Sequence, residues 1–378
     1  MADAFLVDGV RSAFGRRGGS LATLTPDRLG AQVLSHLVER LHVDPALVED
    51  VRLGTATQIG EQGLNLGRLL PLIAGWPVTV PGATVNRMCG SSLETFNECA
   101  QAIMAGTHDL LVAAGVESMS RVPMLSDATQ GFPSGLTDRF QIVPQGMSAE
   151  LIAERWGLTR ESLDTFSLTS HERAIAAQDG GLLAEEIVPV TLPDGTQVDT
   201  DEGPRRDTSL EKLGTLKTVF KPDGVVTAGN ASQITDGAAA LLVASEAAVH
   251  RHDLKPLARV VAMSLVGVDP VIMLTGPIPA TEKVLHKAGL RFQDLDVIEI
   301  NEAFASVVLA WGQEYAPDWG RVNPNGGAIS LGHPLGASGA RLALTAAREL
   351  RRRGGRYALI TMCIGWGIGI ATILENVA

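Results

Sequence analysis

Cysteine is scarce: three residues in a chain of 378, too few and too odd in number for a disulfide framework. That scarcity suits a reducing compartment, and we expect a cytoplasmic protein. Basic residues are in deficit, 31 against 42 acidic, and the net charge of −11 argues against nucleic acid or an anionic membrane as a partner. An anionic substrate would then need a local basic patch. Long apolar runs are missing as well, since glycine or charge interrupts each one short of a membrane span. The N-terminal MADAFLVDGVRSAFG reaches a strand-like segment at once, so no signal peptide is expected, and from the C-terminal ENVA no peroxisomal address is expected. The cysteines lack the spacing of a structural zinc site, so no metal is expected. Aromatic residues make up only 4 % of the chain while glycine reaches 41 residues, which favours tight turns and close backbone approaches.

Short β-rich runs alternate with helical patterns, the mark of an α/β architecture. Strands are expected over 3–10, 48–56, 83–86 and 108–117, with helices over 25–41 and 91–106. Near the C-terminus the order helix, strand, reactive turn, helix, strand returns over 278–290, 294–303, the turn holding His333, 337–354 and 356–363. This repetition predicts two pseudo-symmetric halves, 1–247 and 254–378, with a loop-rich excursion over about 119–224 that carries binding residues. Within the excursion, helices are expected over 148–156 and 161–179.

Three sites carry possible chemistry. Cys89, in NRMCGSS, stands directly before a helix whose free N–H groups and dipole would lower the thiol pKa, with Ser91 and Ser92 available as caps. A small buried hydrophobe is the competing reading. His333, in GGAISLGHPLGASG, is set among glycines where a substrate could approach, and would be the natural base for a Cys89 nucleophile. Cys363, in TMCIGWGIG, ends the strand that mirrors 108–117, so a duplicated fold would bring it to the same end of the molecule as Cys89 and His333. Cys99 reads as core. GWGIG is not a dinucleotide fingerprint, because no helix and acidic residue follow it.

NRMCGSS, NEAFA (301–305), NGGAISLGHPLGASGAR (325–341) and CIGWG resemble, in order and spacing, the motifs of the thiolases. GVESMS (115–120), AGNASQITDGAAA (228–240) and TGPIPA (275–280) extend the resemblance over essentially the whole chain. It implies the thiolase-like fold, two pseudo-symmetric α/β halves in αβαβα layers with an inserted loop domain.

The resemblance further implies that Cys89, activated by His333, attacks the keto carbon of a 3-ketoacyl-CoA. Cys363 would protonate the departing acetyl-CoA enolate, a role suited to a thiol whose ordinary pKa of about 8.5 lies near working pH. CoA, a co-substrate rather than a permanently bound cofactor, would then release the acyl group. Asn301 would hold a water that joins His333 in one oxyanion hole, and the N–H groups of Cys89 and Gly365 would form the other. Arg205 or Arg206 would meet the nucleotide end of CoA. Phe220, Ser232 and Phe304 would line the pantetheine channel, with Leu136 and Met147 as further candidates. A homodimer is expected, a homotetramer being the alternative. A condensing acetyl-CoA acetyltransferase and a non-catalytic lipid-binding relative are the other functions this resemblance allows. Three departures stand out: Trp366 where the family usually has glycine, which a tryptophan in a tight turn would resist; Gln145 at a place often held by methionine; and a segment after Met119 shorter than in the biosynthetic acetoacetyl-CoA thiolases, whose longer loop helps build tetramers.

Overall fold

The computed structural model describes residues 2–129 and 131–377. Its first half begins with β1 (Ala4–Ser12), α1 (Pro26–Leu41), β2 (Asp50–Gly54) and α2 (Leu66–Ile73). It continues through β3 (Gly82–Val85), α3 (Ser91–Met104) and β4 (Leu110–Ser118). The chain then leaves the sheet for an excursion built around α4 (Gln145–Arg155) and α5 (Arg160–Asp179), and returns as β5 (Thr235–Ser245). The second half is β6 (Ala258–Gly267), α6 (Pro277–Ala288), β7 (Val297–Ile300), α7 (Ala305–Tyr315), α8 (Ser338–Arg352), β8 (Tyr357–Ile364) and β9 (Ile368–Asn376).

The strands lie in the order β7-β8-β9-β6-β1-β5-β4-β2-β3. The pairing is the same read outward from the centre in either direction. β2 runs parallel to β3 and β4, and β4 is antiparallel to β5. In the second half β7 runs parallel to β8 and to a bridge at Val322, and β8 is antiparallel to β9. The halves meet where β1 pairs antiparallel with β6.

Side-chain alternation along the strands feeds separate cores. Leu110, Val112, Ala114 and Val116 of β4 face an outer core with α1 and α2, whereas Leu111 and Ala113 face a central core. That central core takes Phe96 and Cys99 of α3, Leu342 and Ala346 of α8, and residues from the strands of both halves. A third core joins the other face of the second half to α6 and α7 through Val284, Val308 and Trp311. The result is the expected αβαβα layering, with α3 and α8 as the buried middle layer.

Two long strands, β5 and β6, and helices α2 and α7 went unread in the sequence. TDGAAALLVAS has the composition of a helix, yet pairing with β1 on one side and β4 on the other makes it a fully buried strand. IATILENVA, β-branched at its start, forms most of β9. Among the described residues, no helix is long and apolar enough to cross a membrane.

Candidate active site

Cys89 sits in a single helical turn, Met88–Gly90, that runs straight into α3. Local polar contacts hold the turn. Asn86 accepts from the Met88 N–H at 2.8 Å through Oδ1 and donates to the Ala56 carbonyl at 2.9 Å through Nδ2. Ser91 does not cap α3 as expected, and neither does Ser92. The Ser91 hydroxyl instead accepts from the Arg87 N–H at 3.0 Å and donates to the Met88 carbonyl at 2.6 Å. Ser92 accepts from the Ala340 N–H of α8 at 2.9 Å, which ties the two middle-layer helices together. Gly90 is glycine because a Cβ there would collide with Ile364 at the end of β8.

Leu335 packs against Cys89 with Ala56 and Met119, so the loop holding His333 forms part of the same wall. Ser338 Oγ donates to the Pro334 carbonyl at 2.9 Å and therefore accepts from His333 Nδ1–H at 2.6 Å. Nε2 is then the unprotonated nitrogen, accepting from Asn301 Nδ2 at 3.3 Å and available as a base. Asn301 Oδ1 is buried and has no partner among the described residues.

A buried carboxylate joins these loops. Glu117, at the end of β4, accepts from Ala56 N–H at 2.8 Å, Thr57 N–H at 3.1 Å, Gln62 Nε2 at 2.7 Å and Gly336 N–H at 2.9 Å. Glu302, next to Asn301, similarly takes Ser170 at 2.7 Å, Asn323 at 2.9 Å and the Ile329 N–H at 3.2 Å. The part Glu117 plays was not foreseen from the strand expected over 108–117. A carboxylate at the end of a buried strand was the available signal.

Burial raises both thiols, and at Cys89 it overrides the helix start. The Cys89 thiol is pushed up to about 11 by burial, although the N–H groups of Gly365 and Cys89 and the Gln145 amide face the sulfur and pull the other way. The lowered thiol pKa expected of the helix start is thus overturned. Burial, reinforced by the nearby Cys89, raises the Cys363 thiol well above its ordinary range, so the ordinary thiol pKa expected of it is corrected too. Burial pushes His333 down to about 3, with Arg341 adding repulsion. The resting site therefore holds two neutral thiols and a neutral imidazole.

Beside Cys89 opens a cavity of about 340 Å³, bounded by Met88, Gln145, Phe220, Phe304, Gly365 and Trp366 among others. This is more than twice the roughly 150 Å³ that suffices to hold a benzene ring. Strain is concentrated on its wall: Met88 (φ 48°), Leu125 (φ 66°) and Trp366 (φ 68°) are all left-handed and all line it. Trp366 occupies the three-residue loop between β8 and β9, followed by Gly367 at φ 80°. The tryptophan accepts a conformation that costs an ordinary residue about 1–2 kcal/mol. Its ring meets Phe132 edge-on at 5.0 Å between centroids.

A second, smaller cavity of about 120 Å³ is lined by His171, Arg205, Thr208, Lys212, Gly229 and Gln233 among others. Arg205 is therefore at a cavity, whereas Arg206 turns away into an exposed ion pair with Asp179. His171 and Lys212 belong to this cavity and were not foreseen. Phe220 and Phe304 line the Cys89 cavity and meet edge-on at 6.4 Å. The Ser232 N–H donates to the Ala303 carbonyl at 2.9 Å, beside Phe304. Ser232, Leu136 and Met147 line neither cavity.

A layered, duplicated α/β fold with two cysteines, a histidine and an asparagine gathered where its halves meet defines an acyl-transfer enzyme of the thiolase class. Comparison with known proteins agrees. Residues 4–247 match the thiolase N-terminal domain and residues 254–376 the thiolase C-terminal domain. A beta-ketoadipyl-CoA thiolase of Acinetobacter baylyi is 48 % identical over 402 residues, with 100 % of each chain covered. A steroid 3-ketoacyl-CoA thiolase of Mycobacterium tuberculosis is 49 % identical over 388 residues, covering 100 % of this chain and 95 % of the relative. The crystal structure of human mitochondrial 3-ketoacyl-CoA thiolase superposes with a TM-score of 0.93 at 39 % identity, covering 100 % of this chain and 99 % of the other. A Bacillus anthracis acetyl-CoA acetyltransferase gives the same TM-score of 0.93 at 38 % identity, with 100 % and 99 % covered. The chain belongs to the thiolase family and is thus an acyl-CoA acyltransferase, consistent with thiolytic cleavage in acyl-CoA degradation with CoA as co-substrate.

Proposed function

We propose that Cys89 is the nucleophile of this thiolase and that cleavage passes through an acyl-Cys89 thioester. The observation that carries the reading is the placement of the Cys89 sulfur: beside a cavity, with the N–H groups of Gly365 and Cys89 and the Gln145 amide turned toward it. His333 Nε2 takes the thiol proton and the sulfur attacks the 3-keto carbon. Collapse of the tetrahedral adduct breaks the carbon–carbon bond and leaves its electron pair on the acetyl-CoA enolate. The Cys363 S–H protonates that carbon. The proton held on His333 restores the Cys363 thiol; CoA then enters, His333 takes its thiol proton, and the CoA sulfur attacks the acyl carbonyl and expels the Cys89 sulfur, which receives that proton. One developing oxyanion lies against the Cys89 and Gly365 N–H groups. A water on Asn301, whose Oδ1 is otherwise unsatisfied, completes the second hole with His333. Arg205, with Lys212 and His171, receives the nucleotide end of CoA, and the Phe220–Phe304 pair flanks the pantetheine arm.

The apolar cavity favours degradative cleavage of acyl groups larger than acetyl over condensation of two acetyl groups. Trp366 forms part of its wall. Trp366→Gly is expected to shift the ratio of kcat/KM between short and bulky 3-ketoacyl-CoAs by several-fold, which a CoA-dependent cleavage panel measures. A parallel fall for every substrate would show that Trp366 supports only the Gly365 turn. Absence of CoA-dependent cleavage across the whole panel would sink the functional reading itself.

The chain divides, on this reading, into halves 1–247 and 254–378 with the excursion 119–224 inserted in the first, in line with the mirrored strand order. Association as a homodimer through the nucleophile half has its own support. β3 is a sheet edge, and Leu64 and Val78 on the chain leading to it are 88 % and 76 % exposed, with Leu72 and Ile73 beside them. Light scattering should give a dimer, and a stable active monomer would contradict it. Three free buried cysteines fit a cytoplasmic setting.

A further inference from the structure

We propose that Gln145 is a catalytic residue of this enzyme: its side-chain amide, seated against Gly365 on the wall of the Cys89 cavity, donates to the Cys89 sulfur as that sulfur becomes anionic. The inference rests on Cys89 being the nucleophile and adds a group that the thiolase motifs do not supply.

Gln145 opens α4, directly after Pro144, and so belongs to the excursion rather than to either half. Two constraints fix where its amide goes. A Cβ on Gly365 would lie 3.2 Å from Gln145 Nε2, so the amide abuts the backbone whose N–H faces the sulfur. Phe220 lies directly over Gly146, where any Cβ would meet its ring, which pins the first turn of α4 to the cavity. Around that cavity the side chains are otherwise hydrocarbon or thioether, apart from the thiol itself and the Trp366 indole. On this wall the Cys89 sulfur, once anionic, is the strongest side-chain acceptor the Gln145 amide could meet.

The chemical need is evident from the burial of the thiol. Transfer of its proton to His333 leaves a full negative charge on sulfur in a space that disfavours charge. The attack then moves that charge to the carbonyl oxygen, and expulsion by CoA brings it back to sulfur. A donor that stays neutral helps at both stages without repelling or trapping the acyl group. Methionine has no hydrogen to give and leaves the two backbone N–H groups alone with the charge.

The test is alkylation of Cys89 by iodoacetamide as a function of pH, read by peptide mass spectrometry, in wild type, Gln145→Met and Gln145→Glu. Hydrogen bonds to charged groups correspond to about 10–100-fold in equilibrium. Gln145→Met is therefore expected to slow alkylation at pH 7.5 by about tenfold or more and to move its midpoint up by about one pH unit or more. Its kcat/KM should fall in parallel for short and bulky 3-ketoacyl-CoAs. Gln145→Glu keeps the shape but offers no N–H when ionised, and should raise the midpoint at least as far. An unchanged alkylation profile in either folded variant, or a loss of kcat/KM confined to bulky substrates, would reduce Gln145 to a wall residue. Alkylation of wild type at Cys363 in place of Cys89 would overturn the nucleophile assignment, and this proposal with it.

Discussion

Cys363→Ala is expected to cut carbon–carbon cleavage by about 10²–10⁴-fold, the usual contribution of a general acid, while CoA-dependent release of acyl-Cys89 stays near wild type. Only the first half-reaction creates a carbanion, so only that half needs a proton at carbon. The thiol is in the right state to give one. Cys363 is 1 % exposed at the end of β8, and its pKa is held high by burial and by the neighbouring Cys89. It therefore stays protonated through the working range, and the enolate, a far stronger base than a carboxylate, takes the proton on contact. The two half-reactions separate cleanly in the laboratory: acyl exchange between an acyl-CoA and isotopically labelled CoA reports on Cys89 alone, whereas 3-ketoacyl-CoA cleavage reports on both. Equal losses in the two assays would make Cys363 a structural residue.

Glu117→Ala should be the most destabilising single change near the site. Its carboxylate collects three backbone N–H groups and one side-chain amide, from residues 56, 57, 62 and 336. Each stranded buried donor costs about 1–3 kcal/mol, so a loss on the order of 4 kcal/mol or more is expected in urea unfolding. Activity should fall further than stability alone explains. Ala56 packs on Cys89, and Gly336 lies three residues from His333, so releasing both loosens Cys89 and His333 together. The Glu117→Gln variant keeps one acceptor oxygen and should lie between wild type and alanine. A loss of less than about 1 kcal/mol for Glu117→Ala would show that water replaces the carboxylate without cost.

Much of this architecture is legible before any coordinates, because the reactive residues stand at the ends of regular elements. Cys89 precedes α3, His333 precedes α8 and Cys363 lies near the end of β8, and in each case the periodicity of the neighbouring element fixes the boundary. The repeated order of elements likewise foretells the mirrored sheet. What escaped the sequence depends on distant partners. β5 is alanine-rich and becomes a strand only because β1 and β4 flank it. The directions of the thiol pKa shifts follow from how deeply the excursion and the second half cover Cys89, which no local motif states. Arg205 and Arg206 are adjacent in sequence, but only the fold sends one to a cavity and the other to Asp179. Trp366, a residue expected to resist its turn, adopts the left-handed conformation regardless, and its ring packs against Phe132 at the cavity wall.

Intact-protein mass spectrometry tests most directly whether this thiolase works through an acyl group carried on Cys89. Wild-type protein mixed with a 3-ketoacyl-CoA in the absence of free CoA should gain the mass of the shortened acyl group, one per chain, mapping to the peptide that contains Cys89 and disappearing when CoA is added. Cys89→Ser should not form that adduct at a comparable rate. An adduct that forms at wild-type levels on another residue in Cys89→Ser, or turnover by wild type with no acyl-enzyme under any condition, would contradict the account.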